Sequence, residues 1–165
     1  MSLLNVPQSD PHDQRFIALI KKHGHAIKYV ASAENDEWEP PFAYSVGGVE
    51  SYGAPEIVVS GLSFDLSKFM INEFMDEWKS GKQFFLNEEY AGFLEGYPVT
   101  LLKASHHAKK TFTCFADWYY ERNEFELWQM VWPGSKHGLY PWQVEDQLAD
   151  VQECLVDGGW PSLSA

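Results

Sequence analysis

The sequence predicts an α+β fold, a single domain in which a mostly antiparallel sheet is flanked by helices. Three observations predict it. Some segments carry apolar residues at helical spacing, while others hold short continuous apolar runs rich in β-branched and aromatic residues. The two kinds are interspersed without the strict alternation of a doubly wound sheet. A chain of 165 residues, 45% of them hydrophobic and 16% aromatic, has the material for one sizeable core without cross-links.

Residues 1–9 read as a polar, proline-containing lead-in expected to be loose. Asp10 then offers an N-cap with Pro11 at the first helical position. Phe16, Leu19, Ile20 and His23 recur at helical spacing up to Gly24, a natural stop. A strand is expected over 25–32, followed by the acidic loop ENDEWE, closed by Pro40 and Pro41. Residues 42–48 read as a second strand running into glycines, 50–55 as a turn, and 56–61 as a third strand of the buried type. Ser63 is placed to cap a helix whose stripe is Leu66, Phe69, Met70, Phe74 and Trp78, ending at Gly81.

Residues 83–86 suggest a short strand, 87–96 a loop with two glycines, and 97–105 a strand with Pro98 near its start, where a missing amide donor is tolerable. An aromatic helix over 109–122 is built on Phe112, Phe115, Trp118 and Tyr119. The organising stretch is 127–142, LWQMVWPGSKHGLYPW. It begins as a buried strand, breaks at Pro133-Gly134, and resumes as an aromatic cluster. A last helix starts near Trp142 or Gln143, with Val144, Leu148, Val151 and Leu155 on one face. Gly158-Gly159 ends it, the domain closes near residue 160, and 161–165 form a tail.

The formal charge of −12 disfavours a nucleic-acid role through a basic surface. No apolar run approaches the length of a membrane span, and no basic segment followed by an apolar one marks the start as a signal peptide. A cytoplasmic protein is the expectation. Cys114 and Cys154 are expected as buried free thiols, Cys114 as a small hydrophobe on an apolar helix face.

Three stretches together resemble the bacterial domain-of-unknown-function family 4262. They are FAYSVGGVESYGAPEIVVSGLS at 42–63, GYPVTLLKAS at 96–105 and LWQMVWPGSKHGLYPW at 127–142. The chain departs from the family pattern in carrying Trp128 between Leu127 and Gln129, and Gly134 where an Asp is usual. That Asp would have been the obvious catalytic or ligand carboxylate. The resemblance implies a small stand-alone bacterial domain and brings no activity with it.

Residue chemistry leaves two functional readings. Residues 42–61 faintly resemble flavin-reductase split barrels, in which backbone amides and the Ser45 hydroxyl would hold a flavin phosphate; the basic residues of such a site are missing, and turn-forming glycines explain the pattern as well. No metal is expected, because the histidine pairs His23/His25 and His106/His107 lack the convergent spacing of a zinc site. Glu56 precedes the buried run Ile57-Val58-Val59. Pointing inward, its pKa would rise; the plainer expectation is a strand-entry residue paired with a lysine. Tyr44, Ser45, Glu56, Trp132, His137, Tyr140 and Trp142 make up the candidate ligand pocket, against the plainer reading of a core whose indoles and phenols bond loop carbonyls.

The acidic residues Glu34, Asp36, Glu37 and Glu39, with Glu145, Asp146 and Asp150 in a C-terminal segment free of Lys and Arg, form two candidate docking surfaces. The lead expectation is therefore a non-enzymatic, cofactor-free protein-binding module. It would be immunity- or antitoxin-like and dock a basic partner such as a toxin. The alternative is a small-molecule-binding domain or enzyme, flavin-dependent in one form, with its cleft near Tyr44 and residues 132–142.

Overall fold

A computed structural model describes residues 11–31, 40–121, 124–134, 138–143 and 152–161. The first helix, α1 (Pro11–His23), buries Phe16 and Ile20 and stops at Gly24, whose φ of 94° suits glycine. Strands β1 (Ala26–Val30) and β2 (Phe42–Val46) follow, then a short helix α2 (Gly48–Tyr52) that takes the place of the first part of the turn expected at 50–55. After β3 (Glu56–Ser60), Ser63 caps α3 (Phe64–Lys79), its hydroxyl accepting from the Leu66 amide. Strands β4 (Glu89–Leu94) and β5 (Tyr97–Lys103) form a hairpin. Two short helices, α4 (His106–Thr111) and α5 (Cys114–Tyr119), lead to β6 (Leu127–Val131) and a single 3-10 turn, Pro141–Gln143.

The strands form one sheet in the order β1-β2-β3-β6-β5-β4. The α+β class is as expected, but the sheet is mixed rather than mostly antiparallel. Neighbours β3 and β6 run parallel, with Glu56 opposite Leu127 and Val58 opposite Gln129; the remaining neighbours are antiparallel. A parallel pair needs a long crossover. Here α3, the β4–β5 hairpin, α4 and α5 supply it before the chain returns to insert β6 between β3 and β5. Both central strands are buried along their whole length, so both faces of the sheet are covered. On one face Ile57, Val59, Trp128 and Met130 pack with Met70, Ile71 and Phe74 of α3. On the other, Tyr44, Val46, Val58 and Leu127 meet Phe16 and Ile20 of α1, Ala108 of α4 and Ala116 of α5.

Four further expectations are corrected. Residues 83–86 are not a strand, and the hairpin strand is β4, inside the expected loop; its exposed face and the irregularity between Tyr90 and Leu94 give it no buried run. The aromatic helix is two helices, broken at Thr113, whose hydroxyl bonds the Lys109 carbonyl. Residues 152–155 are not helical; most of the expected last helix, 144–151, lies outside the described residues. Cys114 is exposed and Cys154 half-buried, because Cys114 opens α5 on its outer side.

That C-terminal segment is held by two glutamines. Gln152 presents its amide to Trp132, accepting from the backbone N–H at 3.1 Å and donating to the carbonyl at 3.0 Å. Gln129, fully buried on β6, donates to the Glu153 carbonyl at 2.7 Å and accepts from the Leu155 amide at 3.0 Å. Ala104 and Val156 complete the attachment as an isolated bridge.

Candidate functional site

The described residues of the sequence-predicted pocket do not meet in one cavity but fall into four separate places. At the first, β2 ends at Gly47, whose φ of 107° turns the chain so that successive amides face inward. A Cβ on Gly47 would lie 2.8 Å from the Gly24 carbonyl, so the position has no room for a side chain. Into this nest of amides projects Glu56, the first residue of β3, which is 0% exposed. Its Oε2 accepts from the amides of Gly47 at 3.0 Å and Val49 at 3.2 Å, and its Oε1 from Gly48 at 3.3 Å. Ser45 Oγ donates to Oε1 at 2.7 Å while accepting from the Ile57 amide at 3.0 Å. The Tyr120 hydroxyl, just past α5, also donates to Oε2.

Glu56 thus points inward and has these groups rather than a lysine as partners. Burial pushes its pKa above the ordinary carboxylate range, against the pull of the Tyr120 and Ser45 hydroxyls and the Val49 and Gly47 amides. The amides that a phosphate would use are therefore donated to the chain's own carboxyl. Tyr119, next to Tyr120, donates to Glu50 Oε1 at 2.8 Å; burial and then that carboxylate raise its phenol to about 12.

Tyr44 and Trp132 are core residues on opposite faces of the sheet. Tyr44 is 3% exposed and its hydroxyl accepts from the Phe115 amide, with burial pushing its pKa up. The Trp132 indole donates to the Ser60 carbonyl at 2.7 Å. Tyr140 and Trp142 sit elsewhere, stacked with centroids 4.7 Å apart and planes 4° from parallel, with Trp160 5.7 Å from Trp142. They border a hollow of about 320 Å³ that also takes in Asn87, Glu89, Thr100 and Gln143. The Tyr140 hydroxyl donates to Glu89 Oε2 at 2.8 Å, and burial together with that carboxylate raises its pKa. His137 lies outside the described residues, as do Glu34, Asp36, Glu37, Glu39, Glu145, Asp146 and Asp150.

The sequence reading missed a cluster around His25. Its Nδ1 is 2.8 Å from the Tyr52 hydroxyl and its Nε2 2.8 Å from Asn72 Oδ1. The signal was present on α3: Lys68, Asn72, Asp76 and Lys79 recur at helical spacing, opposite the apolar stripe. His106 and His107 simply open α4. Among the described residues no three His, Cys, Asp or Glu side chains converge as metal ligands would, and no helix is long and apolar enough to cross a membrane.

The family model described as Domain of unknown function (DUF4262) matches residues 19–146. No curated protein and no solved structure matches the chain.

Proposed function

The chain belongs to the DUF4262 family, whose description carries no activity, and from its own residues we propose that it is a non-enzymatic module that docks a basic partner protein. The observation that carries this reading is the Tyr140–Trp142 stack beside Glu89. A lysine or arginine side chain entering that hollow would meet an indole and a carboxylate together, the pairing by which aromatic sites recognise cations. From the rim at Gln143 the chain continues directly into Glu145, Asp146 and Asp150. A second acidic run holds Glu34, Asp36, Glu37 and Glu39, and the net charge of −12 steers a basic protein towards the whole surface. Ser45 and Glu56, the groups best suited by type to catalysis, are bonded to one another inside the fold. A cytoplasmic protein neutralising a cationic toxin would use this physics without making or breaking bonds.

The test is titration with a hexa-arginine peptide, followed by tryptophan fluorescence at low and high salt. Trp142→Ala or Glu89→Gln should weaken binding roughly tenfold, about 1.4 kcal/mol for loss of a cation–π or charge-assisted contact. Reversing Glu145, Asp146 and Asp150 to Lys should weaken it further and leave the melting temperature unchanged. Affinity that ignores both the salt and these variants would overturn the docking reading.

A further inference from the structure

We propose that the groove between α1, β1 and α3 is a binding site for a small amphipathic oxyanion, a molecule with a carboxylate or phosphate head on an apolar body. The groove encloses about 570 Å³, the size of a small-molecule site, and is independent of the aromatic hollow. Its lining is of two kinds. His23, His25, Asn72, Asp76 and Lys79 are polar, while Leu19, Ile27 and Phe64 are apolar, with Lys68 Nζ 5.8 Å from the Phe64 ring centroid. Leu19 and Phe64 are 47% and 42% exposed, which is apolar surface open to a ligand. Among the described residues no ion pair engages Lys68 or Lys79, while Lys28, Lys82, Lys109 and Lys110 all have carboxylate partners. In a chain of charge −12, two lysines that no ion pair engages among the described residues, against the one carboxylate of the lining, Asp76, make a locally cationic groove.

The His25 cluster fits an anion that comes and goes. The Tyr52 hydroxyl has one proton and two acceptors within reach, His25 Nδ1 at 2.8 Å and the His23 carbonyl at 3.0 Å. With a neutral ring, that proton is given to Nδ1 while Nε2–H donates to Asn72. With a protonated ring, Nδ1–H donates to Tyr52 and the hydroxyl turns to His23, so the cluster stays bonded in both charge states. Burial lowers the His25 pKa, and His23 and Lys79 lower it further; the Asn72 bond and Asp76 raise it. Tyr52, from α2, has its own pKa raised by burial and then by Asp76 and Glu56. An anion lodged beside Lys79 adds a second negative charge near the ring and draws a proton onto it, so binding strengthens as pH falls.

The experiment titrates the full chain with hexanoate, hexyl phosphate and hexanol while NMR follows the His25 ring and the α3 amides. Both anions should perturb these resonances and bind roughly tenfold more tightly than hexanol, the factor expected of one charge-assisted contact. Affinity for hexanoate, which stays ionised throughout, should rise from pH 8 to pH 6 as the ring signals move towards the protonated position. Lys79→Gln should remove most of the preference for the anions with the fold intact, as judged by an unchanged melting temperature. Binding of one anion but not the other supports the site and identifies its head group. Probe resonances that leave the groove unperturbed, hexanol binding as tightly as the anions, or an unaltered anion preference in Lys79→Gln would each overturn the proposal.

Discussion

Glu56 is held by opposing forces. Withdrawal from water favours its protonated form, while amides and hydroxyls aimed at both oxygens favour the ionised one. Because its folded pKa is raised from 4.5, the contribution of this group to stability is fully present below that value and is lost as pH rises through the folded one. Tyr120 limits that loss by donating to the charged form. Tyr120→Phe should therefore destabilise by about 1–2 kcal/mol at neutral pH, and by less at pH 4, where the carboxyl is protonated in both proteins. Urea melts at the two pH values check this; an equal cost at both would show that Tyr120 does not act through a titrating carboxyl. The inward turn of Glu56 was legible in the sequence, since it heads an uninterrupted apolar run. Its donors were not. Ser45 and Tyr120 reach it from another strand and from beyond a distant helix, and a one-dimensional pattern holds no record of that meeting.

Elements with a buried face and a chemical stop were legible. Gly24, Ser63 and Gly81 bound α1 and α3 as expected, because capping and positive φ are local requirements. β4 was not, because a strand with most of one side in solvent and Gly92 at its middle presents neither alternation nor an apolar run. The QFFL segment deceived for the converse reason. Phe84 is buried, but Phe85 is 61% exposed and its amide donates to the Tyr90 hydroxyl rather than to a neighbouring strand. The aromatic stretch that closes β6 behaves as core. Trp132 is packed with the α3 face of the sheet and its indole is bonded to Ser60. Trp132→Ala should cost about 3–5 kcal/mol, measured by chemical denaturation; a variant as stable as the parent would move Trp132 out of the core and into a ligand wall.

At the scale of the molecule, strand direction was the least legible feature. EIVVS and LWQMV are apolar runs of the kind that central strands show, yet nothing within either says that they lie side by side and parallel. That pairing follows from where the long crossover returns. Beyond it, the paired glutamines have a consequence for the extent of the folding unit. The family profile stops at residue 146, while Gln152, Glu153 and Leu155 supply the partners of Gln129 and of the Trp132 backbone. A chain cut after Asp150 would retain the whole profile and strand four interior polar atoms, at about 1–3 kcal/mol each, a sum comparable to the net stability of a typical domain. Such a truncated chain should lose its cooperative thermal transition by circular dichroism; a sharp melt near that of the parent would show the last turns of chain to be ornament. On the first outcome, the recognisable part of this molecule is shorter than its folding unit.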